Sequence, residues 1–303
     1  MTKVDDGSTW SGQTYAHSLL LYPSSYYVNP QFIDFTTMRT YSFVLAAALI
    51  LAGCQVHETE STQIFPSGRL VDMSYAYNGD TVYWPTASGF EKTTDFEGTT
   101  DAGYYYSAYT VSTAEHGGTH LDAPIHFAEG RNASDEIPLE QLMGPAIVID
   151  VSAAADADRD YLITTGDIQA WENEHGMIPD GSIVLFRTGY GKYWPDRDAY
   201  MGTAERGADA VALLHFPGID PATATLLATE RSVKAVGIDT PSIDYGQSAL
   251  FETHQNLLGA NIPAFENVAN LDQLPETGAW LVALPMKIEG GSGGPLRMIG
   301  IIP

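Results

Sequence analysis

The feature that most constrains this chain is a cluster of histidines and an aspartate in one short, glycine-rich stretch. Residues 114–127 read AEHGGTHLDAPIHF and hold three of the eight histidines in the 303-residue sequence. Glycine and proline within the stretch disfavour a helix, so it predicts a glycine-rich turn that enters a strand. Side chains alternate along a strand, which places His120 and Asp122 on the same side.

The residue types in this cluster predict a metal site. Imidazole nitrogen and carboxylate oxygen suit zinc, manganese or iron(II), whereas calcium and magnesium prefer shells made only of oxygen. The alternative is that the histidines are hydrogen-bonded core groups. Four polar side chains this close would then compete for partners and carry high desolvation costs. We therefore expect a divalent metal ion here.

The remaining sequence predicts one α/β domain with a mixed, largely β core and helices packed outside it. Apolar and β-branched stretches predict strands, and stretches with polar entry residues predict helices. The strands are expected at 103–115, 145–151, 182–189, 234–240 and 279–288, and the helices at 164–176, 220–231 and 248–259. The GGSGGP stretch at 290–295 superficially resembles a nucleophile elbow. It is expected to form a loop with no convincing base nearby, which makes a serine mechanism the weaker hypothesis.

The segment before the predicted domain is typical of a secreted lipoprotein. Residues 38–54, MRTYSFVLAAALILAGC, have one positive charge and a short apolar run, as in a signal peptide. Their end, LILAGC, resembles a bacterial lipobox, which implies cleavage before Cys54 and a lipid anchor on its thiol at the cell envelope, on the periplasmic or extracellular face. A buried apolar helix is the alternative interpretation. We expect 1–37 to be a non-native upstream extension, 55–69 a polar linker and 70–303 the folded domain.

Charge and cysteine content exclude some classes of protein. The chain has 14 Lys and Arg against 38 Asp and Glu, a net charge of -24, which repels nucleic-acid phosphates at long range. We therefore expect no nucleic-acid partner. The single cysteine cannot form a disulfide within the chain or a cysteine-based zinc site.

The histidine cluster resembles a known family. The cyclase superfamily, which includes bacterial kynurenine formamidase and isatin hydrolase, carries the signature HxGTHxDxPxH. The signature positions are matched by His116, Gly118, Thr119, His120, Asp122, Pro124 and His126. Further similar stretches follow in the family's order at 80–85, 182–191, 237–246 and 253–268, so the resemblance runs from about Leu70 to the C-terminus. It implies a cyclase-like, barrel-like β core and an assembly of two or more copies, such as a homodimer.

The resemblance also implies a ligand set drawn from two distant parts of the chain. His116, His120 and Asp122 match the first group of ligands, and His254 and Glu266 match the second. Formamidase-like members hold two zinc ions with such a set, and isatin hydrolases are associated with one manganese. Taken alone, His254 fits a helix surface equally well, whereas the Glu266 carboxylate in an apolar strand needs a partner.

These groups indicate hydrolysis of a carbonyl compound. A divalent ion lowers the pKa of bound water from 15.7 towards roughly 7 and polarises carbonyl oxygens. His126, which matches the family's proton-transfer residue, has an unperturbed pKa near 6.5 and can pass a proton to the leaving group. We therefore expect a metal-bound water to attack the carbonyl of a small aromatic substrate.

The predicted substrate is a cyclic amide such as isatin, with arylformamides such as N-formylkynurenine and lactones as alternatives. Residues expected to bind it, from their likeness to family segments, are Trp84, His215, Phe216, Gln247 and Ser248. Packing in the core is the alternative for Phe216, and a surface position for Trp84. Two hypotheses without catalysis stay open, a periplasmic metal- or ligand-binding lipoprotein and an envelope assembly component with an inherited fold.

Overall fold

The computed structural model describes residues 66–303. The predicted upstream extension (1–37), the predicted lipoprotein signal (38–54) and most of the predicted linker (55–69) lie outside the described residues, so they stay predictions. The first strand of the described range begins at Arg69. No helix within residues 66–303 combines the length and the apolar character that crossing a bilayer requires.

The described chain alternates short strands with short helices. The strands are β1 (Arg69–Asp72), β2 (Glu91–Thr99), β3 (Tyr105–Ser112), β4 (His120–Asp122), β5 (Met143–Asp150), β6 (Leu162–Ile163), β7 (Ile183–Arg187), β8 (Gly218–Ile219), β9 (Ala235–Ile238), β10 (Ala264–Glu266), β11 (Ala279–Pro285) and β12 (Gly293–Ile302). The α-helices are α1 (Ser152–Ala157), α2 (Thr165–His175), α3 (Arg197–Met201), α4 (Pro221–Glu230) and α5 (Glu252–Gly259). Short 3-10 turns join several of these elements.

The main sheet closes into a barrel of seven strands. Its order is β12, β11, β5, β7, β9, β10 and β4, and β4 pairs back onto β12. The pairings of β5 with β7, β7 with β9 and β9 with β10 are parallel, and the other pairings of this sheet are antiparallel. β1 extends the sheet by pairing with the C-terminal half of β12. The predicted fold class, a mixed α/β domain with a barrel-like core, is confirmed.

Alternation along the central strands separates two apolar cores. In β5 and β7, Val148 and Leu185 belong to a core with Leu121 of β4, inside the barrel. Their neighbours Ile147 and Val184 belong to a second core that includes apolar residues of α2, α4 and α5. Because both faces of these strands are buried, they appear in the sequence as unbroken apolar runs. The helices therefore cover the outside of the barrel, as predicted.

The predicted helices form with shifted ends. α2 and α4 lie within the predicted ranges, and their caps are the expected ones, with a capping box at Thr164 and a side-chain cap from Asp220. α5 begins only at Glu252, four positions after the start of the predicted range. Its start is delayed because the Ser248 hydroxyl holds the backbone N–H of Phe251 in a loop.

Two stretches differ from their predicted structure. The predicted strand at 103–115 forms as β3, but it pairs only with β2 in a separate hairpin whose side chains are almost all exposed. The prediction of a loop over 290–295 is wrong for its second half. Gly293 and Pro295 pair with Asp122 and His120 of β4, since closing the barrel requires a strand at this point.

Candidate metal site

Four elements bring the predicted ligands together at one end of the barrel. β4 carries His120 and Asp122, while its middle residue Leu121 faces the core. β10 lies beside β4 with Glu266 directly opposite His120. His254 comes from α5, and His116 from the glycine-rich turn before β4. The pairing of β4 with β10 thus unites residues that are distant in sequence.

Asp122 is the centre of this cluster. Its Oδ1 lies 2.6 Å from His116 Nδ1 and 3.1 Å from His120 Nε2. Its Oδ2 lies 3.0 Å from His254 Nε2. Glu266 closes the other side, with its carboxylate oxygens 3.5 Å from His120 Nε2 and 3.3 Å from His254 Nε2.

Burial and close charges shift the pKa values of these groups in opposite directions. Burial would raise the pKa of Asp122, but the surrounding imidazoles outweigh it, His116 foremost, and hold that pKa well below its ordinary value. Burial and the nearby Asp122 charge raise the pKa of Glu266. Burial opposes protonation of His254, yet its carboxylate partners raise its pKa well above the ordinary value. The site therefore strongly attracts positive charge.

The donor set fits a divalent ion. His116, His120 and Asp122 form one group, and Asp122, His254 and Glu266 a second, with ligand atoms within 4.8 Å of one another in each. Nitrogen and oxygen donors in this number match zinc, manganese and similar ions. A bound divalent cation would also offset the repulsion between the two buried carboxylates. Because both groups share Asp122, the arrangement suits one ion or two.

Each histidine of the cluster has a partner on its other ring nitrogen. His120 Nδ1 lies 3.0 Å from the carbonyl oxygen of Gly118. His254 Nδ1 lies 2.5 Å from Asp244 Oδ2, and His116 Nε2 lies 2.8 Å from Ser292 Oγ. Such outer partners fix the ring orientation of metal-binding histidines. The prediction of no base near the GGSGGP stretch is wrong, because the Glu115 carboxylate accepts from the Ser292 hydroxyl at 2.6 Å.

His126 stands apart from the ligand groups but close to them. Its ring stacks on His116, with centroids 3.9 Å apart and planes 19° apart. Burial lowers the pKa of His126 to about 4, so its imidazole is neutral at pH 7. Among residues 66–303, no side chain hydrogen-bonds to its ring, and it faces the pocket beside the cluster. A neutral histidine with an unused nitrogen is suited to accept a proton.

An aromatic pocket of about 310 Å³ opens over the cluster. His116, His120, Asp122, His126, His254 and Glu266 all line it, and its walls include the aromatic side chains of Trp84, Phe127 and Phe251. The Trp84 and Phe251 rings meet edge to face at 6.2 Å. The predicted Trp84 therefore reaches the pocket. Sequence reasoning missed Phe127 and Phe251, although each lies within three positions of a predicted site histidine.

The other predicted substrate residues do not line the pocket. Phe216 is fully buried in an apolar cluster that packs against Trp84. His215 pairs with Asp160, and the Gln247 amide donates to the Leu214 carbonyl. The Ser248 hydroxyl donates to Asp244, the partner of His254. The three polar side chains are thus each held by a contact with a residue that does not line the pocket.

Comparisons with known proteins identify relatives of this chain. Residues 71–245 match the family model described as "Putative cyclase". Isatin hydrolase from Roseibium aggregatum is 35% identical over 209 residues, covering 66% of this chain and 77% of that protein. Kynurenine formamidase from Salinibacter ruber is 32% identical over 231 residues, covering 76% of this chain and 96% of that protein.

Solved structures agree with the sequence relatives. Isatin hydrolase A from Labrenzia aggregata, bound to benzyl benzoate, superimposes with a TM-score of 0.70 at 33% identity, covering 77% of this chain and 93% of that chain. An isatin hydrolase bound to the product analogue thioisatinate gives a TM-score of 0.70 at 30% identity, covering 78% and 92%. With this likeness in sequence and fold, and with its own cluster of histidines and carboxylates, the chain belongs to the cyclase family and is a metal-dependent hydrolase.

Proposed function

We propose that this protein hydrolyses the carbonyl–nitrogen bond of a cyclic amide, with an isatin-like aromatic compound as substrate. The observation that carries the proposal is the joining of an aromatic pocket, a divalent-metal donor set and a neutral, unpaired histidine in one cavity. A cavity of about 310 Å³ suits a small fused-ring compound. The likeness to two isatin hydrolase structures supports the same substrate class.

The side chains of the pocket divide the reaction between them. Trp84, Phe127 and Phe251 bind the flat ring and exclude water from its faces. A divalent ion held by the cluster supplies Lewis-acid activation of water and of the carbonyl oxygen. His126 accepts a proton from the attacking water and delivers it to the ring nitrogen as the carbon–nitrogen bond breaks. The product then carries a carboxylate and a free amine.

We propose manganese or zinc as the ion. Three imidazoles and two carboxylates form a mixed nitrogen and oxygen donor set that suits either metal, whereas magnesium and calcium favour oxygen alone. Comparing activity and affinity after reloading with each ion tests the assignment. A protein active only with magnesium or calcium would contradict it.

An arylformamide is the second candidate substrate. The 32% identity to a kynurenine formamidase, which is covered over 96% of its length, favours it. An acyclic formamide and a cyclic amide need the same attack at a carbonyl, so only the pocket walls separate them. Lactones need that attack as well and form the third class to be tested.

The experiment compares these substrates on one preparation. The full chain is stripped of metal, reloaded with manganese or zinc, and assayed for ring opening of isatin and for deformylation of N-formylkynurenine. Metal-dependent opening of isatin supports the proposal, and turnover of N-formylkynurenine alone transfers it to the second candidate. Tight metal binding with no turnover of either compound or of a lactone would favour a binding protein.

We also propose that the protein is a lipoprotein of the bacterial cell envelope, anchored through Cys54. The support is the LILAGC motif after the apolar run of 38–54. Radiolabelled fatty acid should be incorporated into the parent protein and not into a Cys54→Ser variant. Label in both proteins, or in neither, would contradict the anchor.

We propose a homodimer as the working assembly. The hairpin of β2 and β3 supports it, because Tyr104, Tyr105 and Val111 are more than half exposed, and an isolated two-stranded hairpin is marginally stable in water. A second copy packed against the hairpin would cover these side chains. Light scattering after gel filtration should give twice the chain mass, and a Tyr105→Ser/Val111→Thr double variant should shift it towards the monomer. A monomeric parent would contradict the assembly.

A further inference from the structure

The GGSGGP stretch at 290–295 contributes a side chain that the proposed reaction does not use. Ser292 lies 176 positions after His116, yet its hydroxyl oxygen is 2.8 Å from His116 Nε2. The same serine contacts Glu115, whose Oε2 accepts from the Ser292 hydroxyl at 2.6 Å and from its backbone N–H at 2.9 Å. Glu115, Ser292 and His116 therefore form a continuous chain of hydrogen bonds.

The direction of each hydrogen bond follows from its chemistry. A carboxylate can only accept, so the hydroxyl proton of Ser292 points to Glu115. The serine oxygen then has only lone pairs to offer His116, and Nε2 must carry the hydrogen. In the neutral ring this leaves a lone pair on Nδ1, which faces Asp122 Oδ1 at 2.6 Å. A divalent ion held by both atoms would offset the repulsion between two lone pairs at that distance.

Glycines on both sides of Ser292 allow this close approach. A Cβ atom at Gly293 would lie 2.6 Å from His116 Cε1 and 2.3 Å from the Leu121 carbonyl oxygen. A Cβ atom at Gly291 would lie 3.0 Å from Glu115 Oε1. The backbone therefore fits around the Glu115 and His116 side chains only because residues 291 and 293 have none.

His116 needs this support more than the other two histidines of the cluster. Its side chain is 24% exposed, against 3% for His120 and 5% for His254. Burial therefore restrains its ring less. We propose that Glu115 and Ser292 are positioning residues that hold His116 in the Nε2–H form, with Nδ1 turned to the metal. The inference rests on the proposed metal-dependent function and adds the C-terminal strand to the apparatus that orders the site.

The test is a double-mutant cycle on manganese affinity in the full chain. Ser292→Ala and Glu115→Gln should each weaken binding by about 10- to 100-fold, the usual effect of losing an outer partner of a metal-binding histidine. Because the two residues act in series, the double variant should bind manganese no more than about twofold more weakly than the single variant with the lower affinity. Free manganese measured by electron paramagnetic resonance gives the affinities.

Two control variants match these changes outside the chain of hydrogen bonds. Ser134→Ala removes a buried hydroxyl that donates to the Met286 carbonyl. Glu276→Gln alters a surface pair with His175, 2.7 Å apart. Both should keep the parental affinity. A loss of the same size in either control would overturn the proposal, because metal binding would then respond to any such substitution.

A measurement on the unmodified protein does not depend on the folding of a variant. In zinc-loaded protein with 15N-labelled histidine, His116 should show a protonated Nε2 and a metal-bound Nδ1. The opposite form, or single variants that bind like the parent, would overturn the positioning role while leaving the metal function intact. A parent that retains no divalent ion would overturn both, since His116 would then have no ligand to be positioned for.

Discussion

His126→Ala gives the sharpest test of the catalytic assignment, because His126 contacts the metal ligands without belonging to either ligand group. Its ring stacks on His116 at 3.9 Å, but the two ligand groups are built from other side chains. The substitution should therefore remove proton transfer and leave the ion in place. This variant should lose turnover and keep its metal, whereas variants of the metal ligands should lose both.

The size of the effect follows from the state of the His126 ring. Burial lowers its pKa to about 4, so nearly every molecule has a neutral, proton-accepting imidazole at pH 7. No other side chain within residues 66–303 hydrogen-bonds to that ring. Positioned general bases contribute about 10²- to 10⁴-fold, which corresponds to about 3–5 kcal/mol in the activation barrier. We expect a loss of kcat of that size with manganese affinity unchanged.

The assay follows isatin ring opening by absorbance, with bound metal measured on the same samples. His175→Ala is the matched control, since His175 is a histidine paired with Glu276 at the surface. It should retain parental kcat. A His126→Ala protein with kcat within about threefold of the parent would refute the proton-transfer role. Loss of the metal along with kcat would instead show that His126 is a ligand.

Further expected outcomes concern the ion, the pH profile and the pocket. Restoring the metal at about 1,000 times its dissociation constant should stabilise the fold by about 4 kcal/mol. For a domain of this size that raises the Tm by roughly 8–16 °C in calorimetry, and Asp122→Ala should abolish the shift. Activity should stay level through neutral pH and fall as the pH approaches about 4, where His126 becomes protonated; an acid limb near 6.5, the ordinary histidine value, would contradict this. Trp84→Ala should raise KM for isatin about tenfold or more, through a loss of about 1.5 kcal/mol of ring contact, and an unchanged KM would place Trp84 outside the binding surface.

The fold was predictable where local pattern and burial agree. The runs at 145–151 and 182–189 are apolar because β5 and β7 bury both faces, with Val148 turned inwards and Ile147 outwards. Helix α4 was recognisable from Asp220 and the proline that follows it. The start of α5 was not, because Ser248 holds a loop there through hydrogen bonds with Asp244 and Phe251, which the pattern of apolar residues does not indicate.

The part of the site that lies within one short stretch of sequence was predictable. His120 and Asp122 alternate along one strand and thus share a face, which the sequence alone indicates. His254 and Glu266 were predicted from family resemblance, because no local sequence pattern relates helix α5 or strand β10 to the distant strand β4. Resemblance was less informative for Gln247 and Ser248, because similarity of a segment does not say which way its side chains point. Both side chains point to supporting contacts and not to the pocket.

Closure of the barrel and assembly of the site are one event in this fold. The pairing that closes the sheet puts Glu266 opposite His120 on one edge of β4 and Gly293 opposite Asp122 on the other. A register slip of one residue would turn Leu121 into the site and both ligands of β4 into the apolar core. Because a buried, unpaired carboxylate costs several kcal/mol, the ligands themselves penalise the wrong register. The polar cluster therefore specifies how the last strands pair, as well as what the protein binds.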